Sequence, residues 1–150
     1  MSETISEELM QVQDSDSVPA FGYELLREVL IPELLGRDTP EILYWAGKKL
    51  ARKYPLQNLA EIIDFFKRAG WGDLSIKSET KKELELELSS SLITQRIKNH
   101  EPHYFQIEAG FLAEQIEIQK QVIAETFEHP KKRNGMVHFT VKWDKKDSII

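Results

Sequence analysis

The spacing of apolar residues changes after residue 70, and that change constrains the fold more than any other feature. In the first half, apolar residues recur every three or four positions, as Leu59, Ile62 and Phe66 do. From Leu74 to Leu88 they alternate with polar residues. A helical repeat of about 3.6 residues indicates helices with one buried face, whereas strict alternation indicates half-buried strands. The chain is therefore expected to combine helices with a sheet in an α+β fold.

Three helices are predicted before this change. The first covers about Phe21 to Leu35, with a restart near Ile31 because Pro32 lacks an N–H. Its apolar stripe comprises Phe21, Leu25, Val29 and Leu30, with Leu26 beside it. The second begins at Asp38-Thr39-Pro40, a capping signal, and stops at Pro55. The third covers about residues 56–69, and a glycine ends it.

Four strands and a long helix are predicted to make up the rest of the chain. The strands are Leu74 to Lys77, Leu84 to Leu88, Leu92 to Lys98 and Met136 to Trp143. The long helix covers about Tyr104 to Phe127 and lies between the last two strands. This order indicates helices packed on one face of a four-stranded, mostly antiparallel sheet.

The long helix carries two apolar stripes. The first comprises Phe105, Ala109, Leu112, Ile116 and Ile123, and the second Ile107, Phe111, Ile118 and Val122. Two stripes indicate a helix that is buried on more than one side, between the sheet and other helices or against a second chain. Gly47 in the second helix and Gly110 in the long one are expected to be points of close helix packing.

The excess negative charge of the chain lies at its N-terminus. Lys and Arg number 20 and Asp and Glu 25, and residues 1–19 hold five acidic residues and no basic one. We therefore divide the chain into a flexible acidic leader (1–19), a single α+β domain (20–144) and a short tail (145–150). Beyond the leader the charges balance, so nucleic acid is not expected as a partner. The basic run Lys131-Lys132-Arg133 is interpreted as a solvated turn.

The residues that are missing exclude several classes of protein. The chain has no cysteine, which excludes disulfides, thiolate catalysis and Cys-ligated zinc. No basic segment followed by an apolar stretch opens the sequence, and no apolar run approaches the ~18 residues that span a bilayer. A cytoplasmic protein without integral membrane association is expected.

No motif indicates catalysis, a metal site or a cofactor. His100 and His103 flank Glu101-Pro102, but the proline prevents a regular helix across the pair and a third ligand is missing. His129 and His138 have no partner close in sequence. The chain is therefore not expected to be an enzyme or to hold a metal or cofactor.

Four aromatic residues are the candidates for ligand binding. Tyr44 and Trp45 are adjacent in the second helix, and Phe105 and Phe111 lie in the long helix. One interpretation places them in an ordinary core. The other places them around an apolar pocket between helices and sheet, because such pockets combine aromatic and aliphatic side chains with few polar groups.

Four segments of the chain resemble a bacterial family. They are Tyr23 to Gly36, Asp38 to Pro55, Phe105 to Gln115 and Val137 to Asp144. These segments are similar to the YslB-type bacterial proteins of unknown function, and the resemblance covers about Phe21 to Asp144. Since that family has no established activity, the resemblance implies a fold but no reaction.

A more distant resemblance connects the chain to the fold of NO-signalling and Golgi-transport ligand-binding domains. It includes Bet-three subunits of TRAPP tethering complexes, vinyl-reductase-type domains and haem-based NO sensors, and its mark is the glycine-centred helix segment Glu108-Ala109-Gly110-Phe111-Leu112. It implies helices on one face of an antiparallel sheet, often a dimer, with an apolar cavity. This chain lacks both the cysteine that carries an acyl chain and the Tyr-x-Ser-x-Arg motif of the haem domains.

Two functions are compatible with these observations. The first is a cytosolic, non-enzymatic module that holds a small apolar or amphipathic ligand between the second helix, the long helix and the sheet. The alternative is a ligand-free homodimer or protein-interaction domain, in which the second stripe of the long helix packs against an identical chain. An enclosed cavity beside Tyr44, Trp45 and Phe105 would favour the first, and an external apolar surface would favour the second.

Overall fold

A computed structural model of the chain describes residues 7–13, 17–98, 105–130 and 132–148. After a short helical turn at residues 7–10, helix α1 has three segments: Ala20–Glu24 is α-helical, Leu25–Leu30 is π-helical and Ile31–Leu35 is α-helical. The restart at Ile31 is the one that Pro32 predicts, since this proline lies in the first turn of the last segment. No helix within the described ranges is long and apolar enough to cross a membrane.

Four further helices follow α1. They are α2 (Thr39–Lys53), α3 (Leu59–Arg68), α4 (Ser91–Lys98) and α5 (Gln106–Lys120). Pro40 lies in the first turn of α2, as predicted. At the start of α3, the side chain of Asn58 accepts a hydrogen bond from the Glu61 amide at 2.9 Å. Gly36 and Gly70 end α1 and α3 with φ of 70° and 77°, which a glycine adopts without strain.

The sheet has four strands, and every neighbouring pair is antiparallel. The strands are β1 (Asp73–Glu79), β2 (Glu83–Ser89), β3 (Val122–Glu128) and β4 (Val137–Ser148), in the order β1-β2-β4-β3. The predicted α+β class with a four-stranded antiparallel sheet is thus confirmed. β4 continues to Ser148, into the range that the sequence predicts as a tail.

The inner face of the sheet supplies half of the core. The alternating residues of β2 and β4 that face inward are all buried, namely Leu84, Leu86, Leu88, Val137, Phe139, Val141 and Trp143. Their polar neighbours, such as Glu85 and His138, lie on the outer face. The helices cover the inner face with Ile62, Phe66, Phe111, Leu112 and Ile116, which are buried in the same core.

The third predicted strand is wrong, because Ser91–Lys98 forms helix α4. Ile93 and Ile97 are spaced four apart, a spacing that fits a helical face as well as one side of a strand. The Ser90 side chain decides between the two, since its Oγ accepts a hydrogen bond from the Ile93 amide at 3.1 Å and caps the helix.

The length of the long helix is also wrong, because α5 ends at Lys120 and the fourth strand of the sheet is β3. Gln121 takes a left-handed conformation, with φ of 57°, and ends the helix without a glycine. The β-branched residues Val122 and Ile123 follow at once, and β-branching favours a strand. In β3, residues 122, 124 and 126 are buried, a strand alternation that the helical stripes concealed.

Candidate functional site

The four aromatic candidates lie in three different environments. Phe105 and Phe111 have no exposed surface. Phe111 stacks on Phe65 with 4.6 Å between ring centroids, within an aromatic group that also contains Phe66 and Trp71. Tyr44 is half-buried, and its hydroxyl accepts a hydrogen bond from the Thr126 amide at 3.1 Å. Trp45 is 57% exposed, with the Lys49 ammonium 4.2 Å from its ring centroid.

Gly47 and Gly110 lie where α2 and α5 cross. A Cβ added at Gly47 would overlap the carbonyl oxygen of Ile107 and would lie 2.9 Å from the Phe111 amide nitrogen. A Cβ added at Gly110 would overlap the carbonyl oxygen of Tyr44 and would lie 3.2 Å from the Lys48 nitrogen. Only glycine allows the two backbones to come this close.

The second stripe of the long helix does not form an external surface, so that predicted contact surface is wrong. Phe111 and Val122 are buried, and Ile107 and Ile118 are half-buried within the same chain. Every residue of α5 from Glu108 to Ile116 is buried. α2 covers one side of α5 and the sheet covers the other. An apolar surface for a second chain is therefore to be sought on another element.

An exposed apolar surface is found on α1, which is oriented with its apolar side toward solvent. Phe21 and Leu34 are each 73% exposed, and the side chains between them on this side are also exposed. We call this surface the α1 apolar face; it comprises Phe21, Leu25, Leu26, Val29, Leu30 and Leu34. The stripe that the sequence predicts is thus present, but the described residues of the chain leave it uncovered.

The opposite side of α1 is polar and lies against the protein. The guanidinium of Arg27 binds the carboxylate of Glu108 in α5 through Nη2, at 2.6 Å to Oε1 and 2.5 Å to Oε2. Arg27 also donates to the Tyr23 hydroxyl at 3.1 Å. Arg96 of α4 donates to both carboxylate oxygens of Glu24, at 2.9 and 2.6 Å. Charged hydrogen bonds, rather than apolar packing, therefore fix the orientation of α1.

Burial shifts the titration of the central ion pair. Glu108 is completely buried, and this desolvation raises the pKa of its carboxyl above the ordinary value despite the opposing charge of Arg27. Desolvation lowers the pKa of Arg27, but the charge of Glu108 and the Tyr23 hydroxyl outweigh it and raise that pKa overall. The arginine is therefore a permanent positive charge beneath α1.

The π-helical turn of α1 contains Arg27, the residue that binds Glu108. π-helical turns are rare and are often found at functional sites. The turn covers Leu25–Leu30 and leads directly into the segment that Pro32 restarts. Sequence reasoning did not find Arg27, Arg96 or Glu108. Of these three residues, Arg27 alone has a local signal in the sequence, the polar stripe of α1 formed by Tyr23, Glu24, Arg27 and Glu28.

Of the four histidines that the sequence offers as metal ligands, the structure describes two, His129 and His138. His100 and His103 lie outside the described residues. Within the described residues, no three His, Asp or Glu side chains are arranged so that they could hold a metal ion. His129 and His138 have no potential metal-ligating partner close in sequence. The fold brings them together on the outer face of the sheet, with ring centroids 6.5 Å apart.

Comparison with known proteins places the chain in a family. The model of the family described as "Protein of unknown function (DUF2507)" matches residues 20–142. The chain belongs to the DUF2507 family. It is also 49% identical over 130 residues to the uncharacterized protein YslB of Bacillus subtilis (strain 168), covering 87% of this chain and 88% of the relative. The predicted relationship to YslB-type proteins is thus confirmed for this member of the DUF2507 family.

Solved structures with a related fold have much lower identity. A vinyl-4-reductase family protein from Methanocaldococcus jannaschii is 19% identical, with a TM-score of 0.63 over 96% of this chain and 91% of that chain. A trafficking protein particle complex subunit 3 from Naegleria fowleri, bound covalently to palmitic acid, is 11% identical, with a TM-score of 0.42 over 96% and 95%. The first likeness supports the fold of this DUF2507 protein and no particular activity.

Proposed function

We propose that this protein is a non-enzymatic homodimerisation module that binds a second copy of itself through the α1 apolar face. The observation that carries the proposal is the orientation of α1: its charged side is bonded to α4 and α5, and its apolar side faces outward. Exposed apolar patches of this kind mark interaction sites.

The area of the face fits a dimer. From the exposed fractions, its six side chains leave on the order of 700 Å² of apolar surface accessible. A standard protein interface covers about 800 Å² on each partner. Neighbouring residues at the rim of α1 would supply the remainder. A face of this size is larger than the patches of a few hundred Å² that monomers commonly expose.

A second copy accounts for this face better than a lipid surface does. A symmetric dimer needs one patch that complements itself, and a continuous helical stripe of leucine, valine and phenylalanine can pack against its own two-fold copy. The chain carries an excess of five negative charges, which does not favour an anionic bilayer. The ligand pocket expected between helices and sheet, the cytoplasmic location and the lack of enzymatic activity stay predictions.

The test is sedimentation of the intact protein at about 50 μM, where a dimer with a Kd tighter than that concentration is populated. We expect a species of twice the 17.4 kDa of one chain. Val29→Asp should yield the monomer, because it places an unpaired charge in an apolar interface. Since Val29 is 59% exposed in the single chain, the variant should fold normally.

Ile123→Asp is the matched control. Ile123 is 51% exposed on the outer face of β3, away from α1, so this variant should remain a dimer. Wild-type protein that sediments as a monomer at this concentration would overturn the proposal, as would a Val29→Asp dimer. Native mass spectrometry of the same sample reports on the alternative: an additional small mass retained by both variants would indicate a ligand inside the domain.

A further inference from the structure

Part of the acidic leader folds against the domain beside the first turn of α1. Residues 7–10 form the short helical turn that precedes α1. The guanidinium of Arg68, at the end of α3, donates through Nη2 to the carbonyl oxygens of Met10 and Val12, at 2.8 and 3.1 Å. Specific hydrogen bonds to the backbone therefore hold this part of the leader against α3.

The leader brings apolar side chains to this place without burying them. Leu9 and Val12 are 58% and 51% exposed, and Val18, just before α1, is 74% exposed. Together with α1, α3 and α4 they form an open pocket of about 570 Å³, which we call the leader pocket. Its apolar lining includes Leu9, Val12, Val18, Ala20, Ala69 and Leu92. Apolar side chains that are fixed in place but left in solvent mark a surface that a partner covers.

The leader pocket is continuous with the α1 apolar face. Tyr23 lines the pocket and Leu26 belongs to the face, and residues three apart are neighbours on a helix surface. The face alone leaves on the order of 700 Å² accessible, somewhat less than the roughly 800 Å² that a standard interface covers on each partner. A second copy that covers the leader pocket as well supplies the missing area.

The other end of α1 carries an apolar side chain that suits this pocket. Leu34 is 73% exposed and lies 14 residues after Ala20, roughly 21 Å along the helix at about 1.5 Å per residue. It is therefore out of reach of the leader pocket of its own chain. A second copy whose α1 runs antiparallel brings its Leu34 to this end of the helix, and the two-fold axis then fills both pockets in the same way.

The charge of the leader favours the same orientation. Two-fold symmetry also allows parallel α1 helices, and that arrangement brings the two leaders together. Residues 1–19 hold five acidic residues and no basic one, so parallel pairing places like charges side by side. Antiparallel pairing separates the leaders by roughly 24 Å, the length of α1, which is well beyond the Debye length of about 8 Å at physiological salt.

We propose that two copies of the chain pair through antiparallel α1 helices, with Leu34 of each copy inserted into the leader pocket of the other. This inference rests on the proposed dimerisation and specifies its geometry. The leader then forms part of the interface, and Arg68 is the residue that positions it.

Cysteine cross-linking tests the arrangement, because the chain has no cysteine of its own. In an Ala20→Cys/Leu34→Cys double variant, the two cysteines of one chain are too far apart for a disulfide, which needs Cα atoms within about 7 Å. We expect mild oxidation to give a covalent dimer that reduction returns to the 17.4 kDa chain. Both positions are exposed, so the variant should fold.

Three controls accompany this experiment. Ala20→Cys alone and Leu34→Cys alone should not cross-link, because antiparallel pairing keeps each position away from its own copy. Adding Val29→Asp to the double variant should abolish the cross-link, since it removes the dimer. A single variant that cross-links as efficiently as the double variant would indicate parallel helices and would overturn the inference.

The outcomes distinguish this inference from the proposed function. Wild-type protein that sediments as a dimer, combined with a double variant that does not cross-link, would leave the dimer standing and overturn its antiparallel geometry. Wild-type protein that sediments as a monomer would overturn both.

A second experiment measures what the leader contributes. Arg68→Met removes both hydrogen bonds to the leader, so a dilution series in the centrifuge should give a dimer Kd several-fold weaker than that of wild type. Arg68→Lys keeps a charged donor and should restore most of the affinity. Lys67→Met, the removal of a neighbouring exposed cation, should leave the Kd unchanged. An Arg68→Met dimer as tight as wild type would overturn the role of the leader.

Discussion

Helices α1 and α5 use the same kinds of residue in opposite ways. Helix α5 is buried from Glu108 to Ile116, and it takes polar side chains such as Glu108 and Gln115 into the core with it. Helix α1 places its charged side inward and leaves its apolar stripe in solvent. The ion pair between Arg27 and Glu108 belongs to both helices. A buried polar partner at a fixed position can therefore orient a helix so that its charged side faces the protein and its apolar side faces solvent, the reverse of the usual arrangement.

The largest expected effect is the loss of that ion pair. Arg27→Met leaves the Glu108 carboxylate buried without its partner, which should lower the free energy of unfolding by about 3–5 kcal/mol. Urea denaturation measures the change. Arg37→Met, the same substitution at an exposed arginine just after α1, is the control and should change stability by less than about 0.5 kcal/mol.

A double variant separates charge from packing in the same experiment. Replacing both partners, Arg27→Met with Glu108→Met, removes the unpaired charge, so most of the lost stability should return. If Arg27→Met alone is as stable as wild type, the ion pair does not orient α1, and the contrast between the two helices has another origin.

A somewhat smaller effect is expected where α2 crosses α5. Gly110→Ala forces a methyl group onto the Tyr44 carbonyl oxygen, and overpacking of this kind destabilises proteins by about 1–3 kcal/mol or more. Gly22→Ala in α1 is the matched substitution, since no atom lies within 4 Å of the added Cβ. It should be neutral or slightly stabilising, because alanine favours helix more than glycine does. Equal losses in thermal unfolding would mean that both helices are equally crowded.

The smallest expected effect is on the pH dependence of stability. Because the pKa of Glu108 is raised in the folded protein, the folded state holds this proton more tightly than the unfolded state. The contribution of Glu108 is then fully present below about pH 4.5 and is lost as the pH rises through the folded pKa. The stability of wild type relative to Glu108→Gln, measured with urea at several pH values, should therefore decrease as the pH rises. An increase would mean that Arg27 holds the pKa below its usual value instead.

Local patterns predicted most of the helices and strands because their signals lie within a few residues. Pro40 at the start of α2 and the clean alternation of β4 are such signals, and the structure confirms both elements, although neither Asp38 nor Thr39 caps α2 with its side chain. The errors occur where two periods fit equally well. Ile93 and Ile97 suit a strand or a helix, and residues 122–127 continue a helical stripe while also alternating as a strand.

The candidate site was less accessible to sequence reasoning for a different reason. The apolar stripe of α1 is visible in the sequence, but the stripe alone does not determine whether that side faces the core or the solvent. The orientation of α1 depends on the contact between Arg27 and Glu108, which lies 81 residues further along the chain. A contact between such distant residues leaves no local pattern. Likewise, His138 acquires its partner Glu87 only through the pairing of β2 with β4. His129 acquires its partner Thr140 only through the pairing of β3 with β4.

The left-handed turn at Gln121 has a consequence for the route by which the chain folds. It reverses the backbone between α5 and β3, and Glu128 at the far end of β3 accepts hydrogen bonds from the Phe105 amide and the Gln106 side chain at 3.1 and 2.7 Å. Helix and strand therefore form a loop closed at both ends, and short loops close at a small entropic penalty. We expect this hairpin of helix and strand to assemble early and to offer β3 as the edge on which β4 is laid down.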